Sequence, residues 1–173
     1  MKSAISRTSL RRMLAYALLT ALGIVFSRIL AIDAGVLRFN LGSVPPLLAG
    51  IWFGPAAGAL VGAVADMLGG LMVGYTLNPV ITAGAASIGL VAGLVWRYLP
   101  GRESVRLTAG VFAGHIVGSL CINSLALHLF YSVPWPALAM RIPTYLILSA
   151  IESAVILLLM RSRGLRESVE KLK

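Results

Sequence analysis

The chain has 173 residues, of which 58% are hydrophobic and 12% charged, with a formal net charge of +9 and a mean hydropathy of +0.91. Soluble domains carry about 25% charged residues, so this composition excludes an ordinary water-soluble fold and implies an integral membrane protein. There is room for about six spans of roughly 20 residues, and no large soluble part remains to host an ATPase. The single cysteine, Cys121, excludes a disulfide within the chain. In chain order, a basic start (Lys2, Arg7, Arg11, Arg12) leads into a first span over residues 13–32. That apolar run is too long for the core of a signal peptide and has no clean small-residue cleavage site, so it is expected to stay in place. A loop over 33–43 precedes a short second span at 44–52, with Pro45 and Pro46 at its mouth, where missing N–H groups cost nothing. Phe53-Gly54-Pro55 reads as a tight turn into a third span at 55–72. Further spans follow at 79–96, 107–130 and 141–160, and the charged tail from 161 reads as a short surface helix. The expectation is an all-α membrane protein, one integral domain of six transmembrane helices.

Six spans put both termini on one side. Twelve of the fifteen Lys and Arg residues then fall on that side, in the N-terminus, the 97–106 loop and the tail. The positive-inside rule places that side, and both termini, in the cytoplasm. The positive charge is thereby assigned to topology and not to nucleic acid. Only Arg28, Arg38 and Arg141 fall on the outer side.

The third span carries Gly54, Gly58, Gly62, Asp66 and Gly70 four residues apart. Such residues share one side of a helix, which gives a ridge without side chains and one carboxylate set into it. Glycine costs an exposed helix about 1 kcal/mol per residue, and close backbone contact between membrane helices is the usual compensation. Gly110, Gly114 and Gly118, and Ala85, Gly89 and Gly93, repeat the device.

The outer arginines have two readings: snorkelling to lipid phosphates, or recognition of an anionic ligand, since the guanidinium fork matches a carboxylate. Asp66 has three: a structural pair with an arginine such as Arg28, a ligand contact, or a proton site, the last disfavoured because no chain of acids or histidines crosses the membrane. Arg141, Tyr145, Ser149 and Glu152 lie on one face of span six, expected to wall a cavity open to the outside. His115 is a candidate partner for the deep Glu152. Ser119 and Asn123 share a face of span five. Tyr75, Tyr131, Trp135 and Tyr145 fit either an interfacial aromatic belt or stacking on a flat ring. No cluster has metal-ligand spacing, no nucleophile–base pair or phosphate loop is recognisable, and no cofactor is expected.

These residues carry a resemblance. Ser27-Arg28, Arg38-Phe39-Asn40-Leu41-Gly42, Val44-Pro45, Leu48-Ala49-Gly50, Phe53-Gly54-Pro55, Gly58, Gly62, Asp66-Met67-Leu68-Gly69 and Met140-Arg141 resemble the substrate-binding S components of energy-coupling factor (ECF) transporters, in order and spacing most like the folate-specific branch. The resemblance covers nearly the whole chain. It implies a non-enzymatic vitamin-binding subunit of a bacterial plasma membrane transporter. It further implies docking on a transmembrane coupling subunit driven by two cytoplasmic ATPases, with Ala17 and Ala21 matching the family's Ala-x-x-x-Ala docking motif. Folate fits the residues: its glutamate carboxylates suit Arg28, Arg38 and Arg141, its flat pterin suits tyrosine or tryptophan stacking, and its N–H donors suit Asp66, Asn78 or Asn123. The competing readings are the same fold with another vitamin (pantothenate, thiamine or a queuosine precursor), an intramembrane enzyme built on Asp66, His115 and Glu152, and a structural scaffold.

Overall fold

The structure, a computed structural model, describes residues 7–34 and 37–170. Helix α1 (Arg7–Ile24) runs on through one π-helical turn, Val25–Ile29. An antiparallel hairpin follows, β1 (Ile32–Ala34) and β2 (Leu37–Phe39), with Asp33 opposite Arg38. Then come α2 (Val44–Phe53), α3 (Pro55–Met72) and α4 (Pro79–Tyr98). The next long element joins α5 (Glu103–Gly114), a π-helical segment His115–Ile122 and α6 (Asn123–Tyr131). The short α7 (Trp135–Ala139) leads into α8 (Arg141–Arg161), and α9 (Arg163–Glu170) closes the described chain.

Local sequence sets the breaks. Prolines occupy the first turns of α2, α3, α4 and α7, where a missing N–H costs nothing. Gly54 ends α2 and starts α3 at φ 103°, a conformation that side-chain-bearing residues avoid. The Asn78 side chain accepts from the Val80 N–H at 2.9 Å and caps α4. Ser132, at φ 53°, terminates α6.

The helix α4 is central, and glycines from three neighbours press onto its backbone. A Cβ added to Gly58 would lie 2.5 Å from the Gly89 carbonyl oxygen, and one on Gly62 2.5 Å from that of Ala85. From the other side, Gly114 and Gly118 approach the carbonyls of Ile88 and Gly84 in the same way. Gly58 and Gly62 of the α3 ridge therefore form the α3–α4 seam. A buried apolar cluster that includes Leu47, Ile51, Ala92, Leu107, Val111 and Ile156 fills the end of the bundle away from the hairpin.

Five helical stretches are long and apolar enough to cross a membrane. Large apolar side chains cover their outer surfaces, as with Leu10, Leu14 and Leu18 on α1 and Leu158 on α8, all about 60% exposed or more. A surface of this kind suits lipid and not water.

One element differs from the sequence-based expectation, and the short second span matches it. The segment read as a loop over 33–43 contains the hairpin. The second span is only ten residues, about 15 Å of helix, half the thickness of a bilayer core. The chain before α2 makes up the depth by entering the bundle: Gly42 lies against Ser27, and Gly23 of α1 faces the Gly42 carbonyl and Pro45.

Candidate functional site

A cavity of about 810 Å³ opens among the helix ends on the hairpin side of the bundle, within the 300–1,000 Å³ range of small-molecule sites. Each element brings its polar residues there for a local reason. The π turn at the end of α1 carries Ser27 and Arg28, and the π segment before α6 carries Ser119. Such turns insert an extra residue per turn and are frequent at functional sites. The second half of α3 brings in Asp66 beside α4, and the first two turns of α8 bring in Arg141 and Tyr145.

On the α1–α3 wall, Arg28 Nη2 lies 3.2 Å from Asp66 Oδ1. The other Asp66 oxygen accepts from the Thr82 hydroxyl at 2.8 Å. The Arg28 guanidinium lies over the Tyr75 ring, 5.5 Å from its centroid. Gly69 leaves room for this arginine, since a Cβ there would meet Arg28 Nε at 3.0 Å.

On the α6–α8 wall, Arg141 is 6% exposed. It donates to the Ser124 hydroxyl at 2.9 Å and to the Tyr145 hydroxyl at 3.2 Å, and its guanidinium stacks over the Tyr145 ring at 5.2 Å. Among the described residues no carboxylate pairs with it. A buried guanidinium without a counter-charge costs several kcal/mol. Behind it, His115 and Glu152 are sealed, at 1% and 0% exposure, with Nε2 and Oε2 2.6 Å apart. His115 Nδ1 lies 3.0 Å from the Ser119 hydroxyl.

The other sequence-derived candidates fall as follows. Tyr75, Asn78 and Asn123 line the cavity with Arg28, Asp66, Arg141 and Tyr145. The carboxamide oxygen of Asn78 is committed to its helix cap, which leaves its NH₂ for the cavity. Asn123 lies directly on Gly84, and its Oδ1 is buried without a hydrogen-bond partner. Arg38 is placed on β2; its side chain is outside the described residues. Trp135 stacks on His128 at 4.5 Å instead of lining the cavity. Ala17 and Ala21 are exposed on the apolar outer face of α1.

Thr82 and Ser124 were not singled out from sequence. Thr82 is one neutral hydroxyl in an apolar helix and carries no signal by itself. Ser124 donates to the Ser119 carbonyl, five residues back, at 3.3 Å. That is π spacing, which a search at helical steps of three and four passes over.

Comparison with known proteins gives consistent matches. The family described as "ECF transporter, substrate-specific component" matches residues 11–160. The folate transporter FolT of Clostridium novyi (strain NT) is 33% identical over 78 residues, a match that spans 41% of this chain and 45%, less than half, of that relative. A crystal structure of FolT bound with folic acid superposes with a TM-score of 0.70 at 24% identity, over 84% of this chain and 89% of that one; this likeness is one of fold. The S component of a bacterial ECF transporter superposes at 0.69 with 26% identity, over 87% of this chain and 94% of that one. A family match across almost all of the described helices, on a bundle that holds a polar cavity at one end, means that the chain belongs to the ECF transporter substrate-specific components, membrane proteins that bind a substrate for a transporter and are not enzymes.

Proposed function

We propose that this chain is the high-affinity folate-binding subunit of an ATP-driven ECF uptake transporter in the bacterial plasma membrane. The observation that carries the reading is Arg141: a buried cation on the cavity wall with no carboxylate partner among the described residues. A ligand that brings a carboxylate supplies the missing charge, and the glutamate tail of folate brings two. Arg28, with its charge offset by Asp66, and Arg38 on the hairpin flank the same mouth. The pterin ring then lies deeper, against Tyr145 and toward Asn123, with Asp66, Tyr75 and Asn78 along the opposite wall. Likeness to the C. novyi folate transporter and to FolT with folic acid supports this choice of vitamin.

The whole chain acts as one integral domain, with both termini cytoplasmic, an orientation that the twelve basic residues on that side support. The exposed Ala17 and Ala21 face of α1 docks on the transmembrane coupling subunit, and two cytoplasmic ATPases drive the cycle.

The test is ligand binding to the purified protein in detergent, read by tryptophan fluorescence, with folate against thiamine, riboflavin and pantothenate. Folate alone should bind tightly. Arg141→Gln should weaken it by at least about 30-fold, the usual scale for removing one partner of a buried charge contact, with the melting temperature unchanged. Tight binding of a control vitamin in place of folate, or no binding by a folded protein, overturns the assignment.

A further inference from the structure

We infer that Ser119 is a specificity residue of the cavity, fixed as a hydrogen-bond donor by the buried His115–Glu152 pair, and that it selects a ring bearing a carbonyl acceptor. The inference rests on the folate reading and extends it to the atoms that read the pterin.

Proton placement follows from burial. His115 and Glu152 are sealed in the bundle core, and Glu152 Oε1 has no hydrogen-bond partner. A bare carboxylate beside a neutral imidazole would put an uncompensated negative charge there, which is costly in a membrane interior. The pair is therefore neutral overall. It is either imidazolium with carboxylate, or imidazole with carboxylic acid. A carboxylic acid proton on Oε1 would be a buried donor without an acceptor, so in the second form the proton lies on Oε2 and is donated to Nε2 across the 2.6 Å contact. Both forms leave a hydrogen on Nδ1. His115 Nδ1–H therefore donates to the Ser119 hydroxyl oxygen at 3.0 Å.

The consequence falls on Ser119. Its oxygen is occupied as an acceptor, and its own O–H remains to be donated. Two other serines and threonines of this half of the bundle turn their hydroxyls back to the carbonyl one helical turn earlier: Ser153 to Ser149, and Thr144 to Met140. Ser119, in the π-helical segment, makes no such bond, and it lines the cavity. The O–H is thus left to donate to whatever occupies the cavity beside it. Beside it, the His115 ring packs on Tyr145, with centroids 5.4 Å apart, which holds the imidazole in its plane. Glu152 and His115 are positioning residues; the group that touches the ligand is Ser119. A donor here matches the 4-oxo group of a pterin and mismatches a 4-amino group in its place.

The experiment compares folic acid with 4-amino-4-deoxyfolic acid, which exchanges that acceptor for a donor and keeps the glutamate tail. The variants are Ser119→Ala and the apolar double replacement His115→Phe with Glu152→Leu, which leaves no buried charge behind. Wild type should favour folic acid. Ser119→Ala should weaken folic acid by about three- to tenfold, the scale of one neutral hydrogen bond, and move the 4-amino analogue by less than about twofold. The double variant should lower the same preference while Ser119 is still present, because its hydroxyl can then turn to accept. Equal loss for both ligands in Ser119→Ala, or no loss for either, overturns the inference and leaves folate binding standing. An unchanged preference in the folded double variant overturns the role of the buried pair. A wild-type protein that binds neither compound overturns the folate reading itself, and this inference with it.

Discussion

On the α1–α3 wall of the cavity, Arg28 faces Asp66, and Thr82 holds the second oxygen of that carboxylate. On the α6–α8 wall, Arg141 faces, among the described residues, the hydroxyls of Ser124 and Tyr145 and an aromatic ring. The backbones differ as well. The first wall rests on a seam where α3 and α4 touch through glycines. The second is filled by side chains: His115, Glu152, Ser149 and Ser153 are all buried. On the first wall the two charges already face each other without a ligand. The second keeps a cation whose counter-charge is not among the described residues. A carboxylate-bearing ligand therefore gains most on the second wall, and the rigid first wall supplies the surface against which it is held.

The largest effect should come from breaking the seam of the first wall. A Cβ on Gly62 would sit 2.5 Å from the Ala85 carbonyl oxygen and 3.1 Å from its carbon. Both are backbone atoms of the central helix and have nowhere to move. Overpacking of this kind costs about 1–3 kcal/mol even where side chains can yield. Gly62→Val should therefore abolish recovery of monodisperse protein, or lower the melting temperature by many degrees. A normally folded Gly62→Val protein would show that the α3–α4 contact is looser than the structure has it.

Next in size, the two arginines should respond with opposite signs. Arg28→Met leaves the Asp66 carboxylate without its cation in a partly buried site, and should destabilise the ligand-free protein by about 1–3 kcal/mol. Arg141→Met removes a buried charge that has no ionic partner among the described residues and replaces it with a side chain of similar length, so the ligand-free protein should be as stable as wild type or more so. Ligand binding should fall far more in Arg141→Met than stability does. Thermal unfolding of both variants, with and without folate, checks this. Equal destabilisation by the two substitutions would mean that the walls do not differ in the way described.

Much of the scaffold was legible in the sequence because membrane helices announce themselves through composition. The glycine ridge of α3 marked a close helix contact, and the proline positions marked helix starts. The pairing of Arg28 with Asp66 was one of three open readings, since both charges lay near the same end of their helices. What sequence did not reveal comes from local departures from regular geometry. The π segment at His115–Ile122 shifts the register of α6, which brings Ser124 rather than a helical-spacing neighbour under Arg141. Nothing in the apolar run around it signals the extra residue. The hairpin escaped for a related reason: strands of three residues are too short for an alternating pattern to stand out. The shortness of α2 was visible, but the re-entry of the chain at Gly42 that compensates for it is a tertiary contact.

The smallest effect is the most informative about Asp66. Thr82→Val is close to isosteric and removes one donor from Asp66 Oδ2 while leaving the Arg28 contact in place. If Asp66 serves as the fixed counter-charge of Arg28, the variant loses one hydrogen bond at a carboxylate that keeps some solvent exposure, about 1 kcal/mol of stability, and folate affinity stays within about threefold. If the carboxylate also accepts from the pterin, the freed oxygen gains rotational freedom, the ring loses an oriented partner, and affinity falls by tenfold or more at the same stability cost. Thr82→Ser restores the hydroxyl and should restore both quantities. The comparison of walls predicts the first outcome, because a wall that is already neutral and hydrogen-bonded has the least to gain from ligand contact. A tenfold loss of affinity in Thr82→Val that Thr82→Ser repairs would move Asp66 from the scaffold to the binding surface.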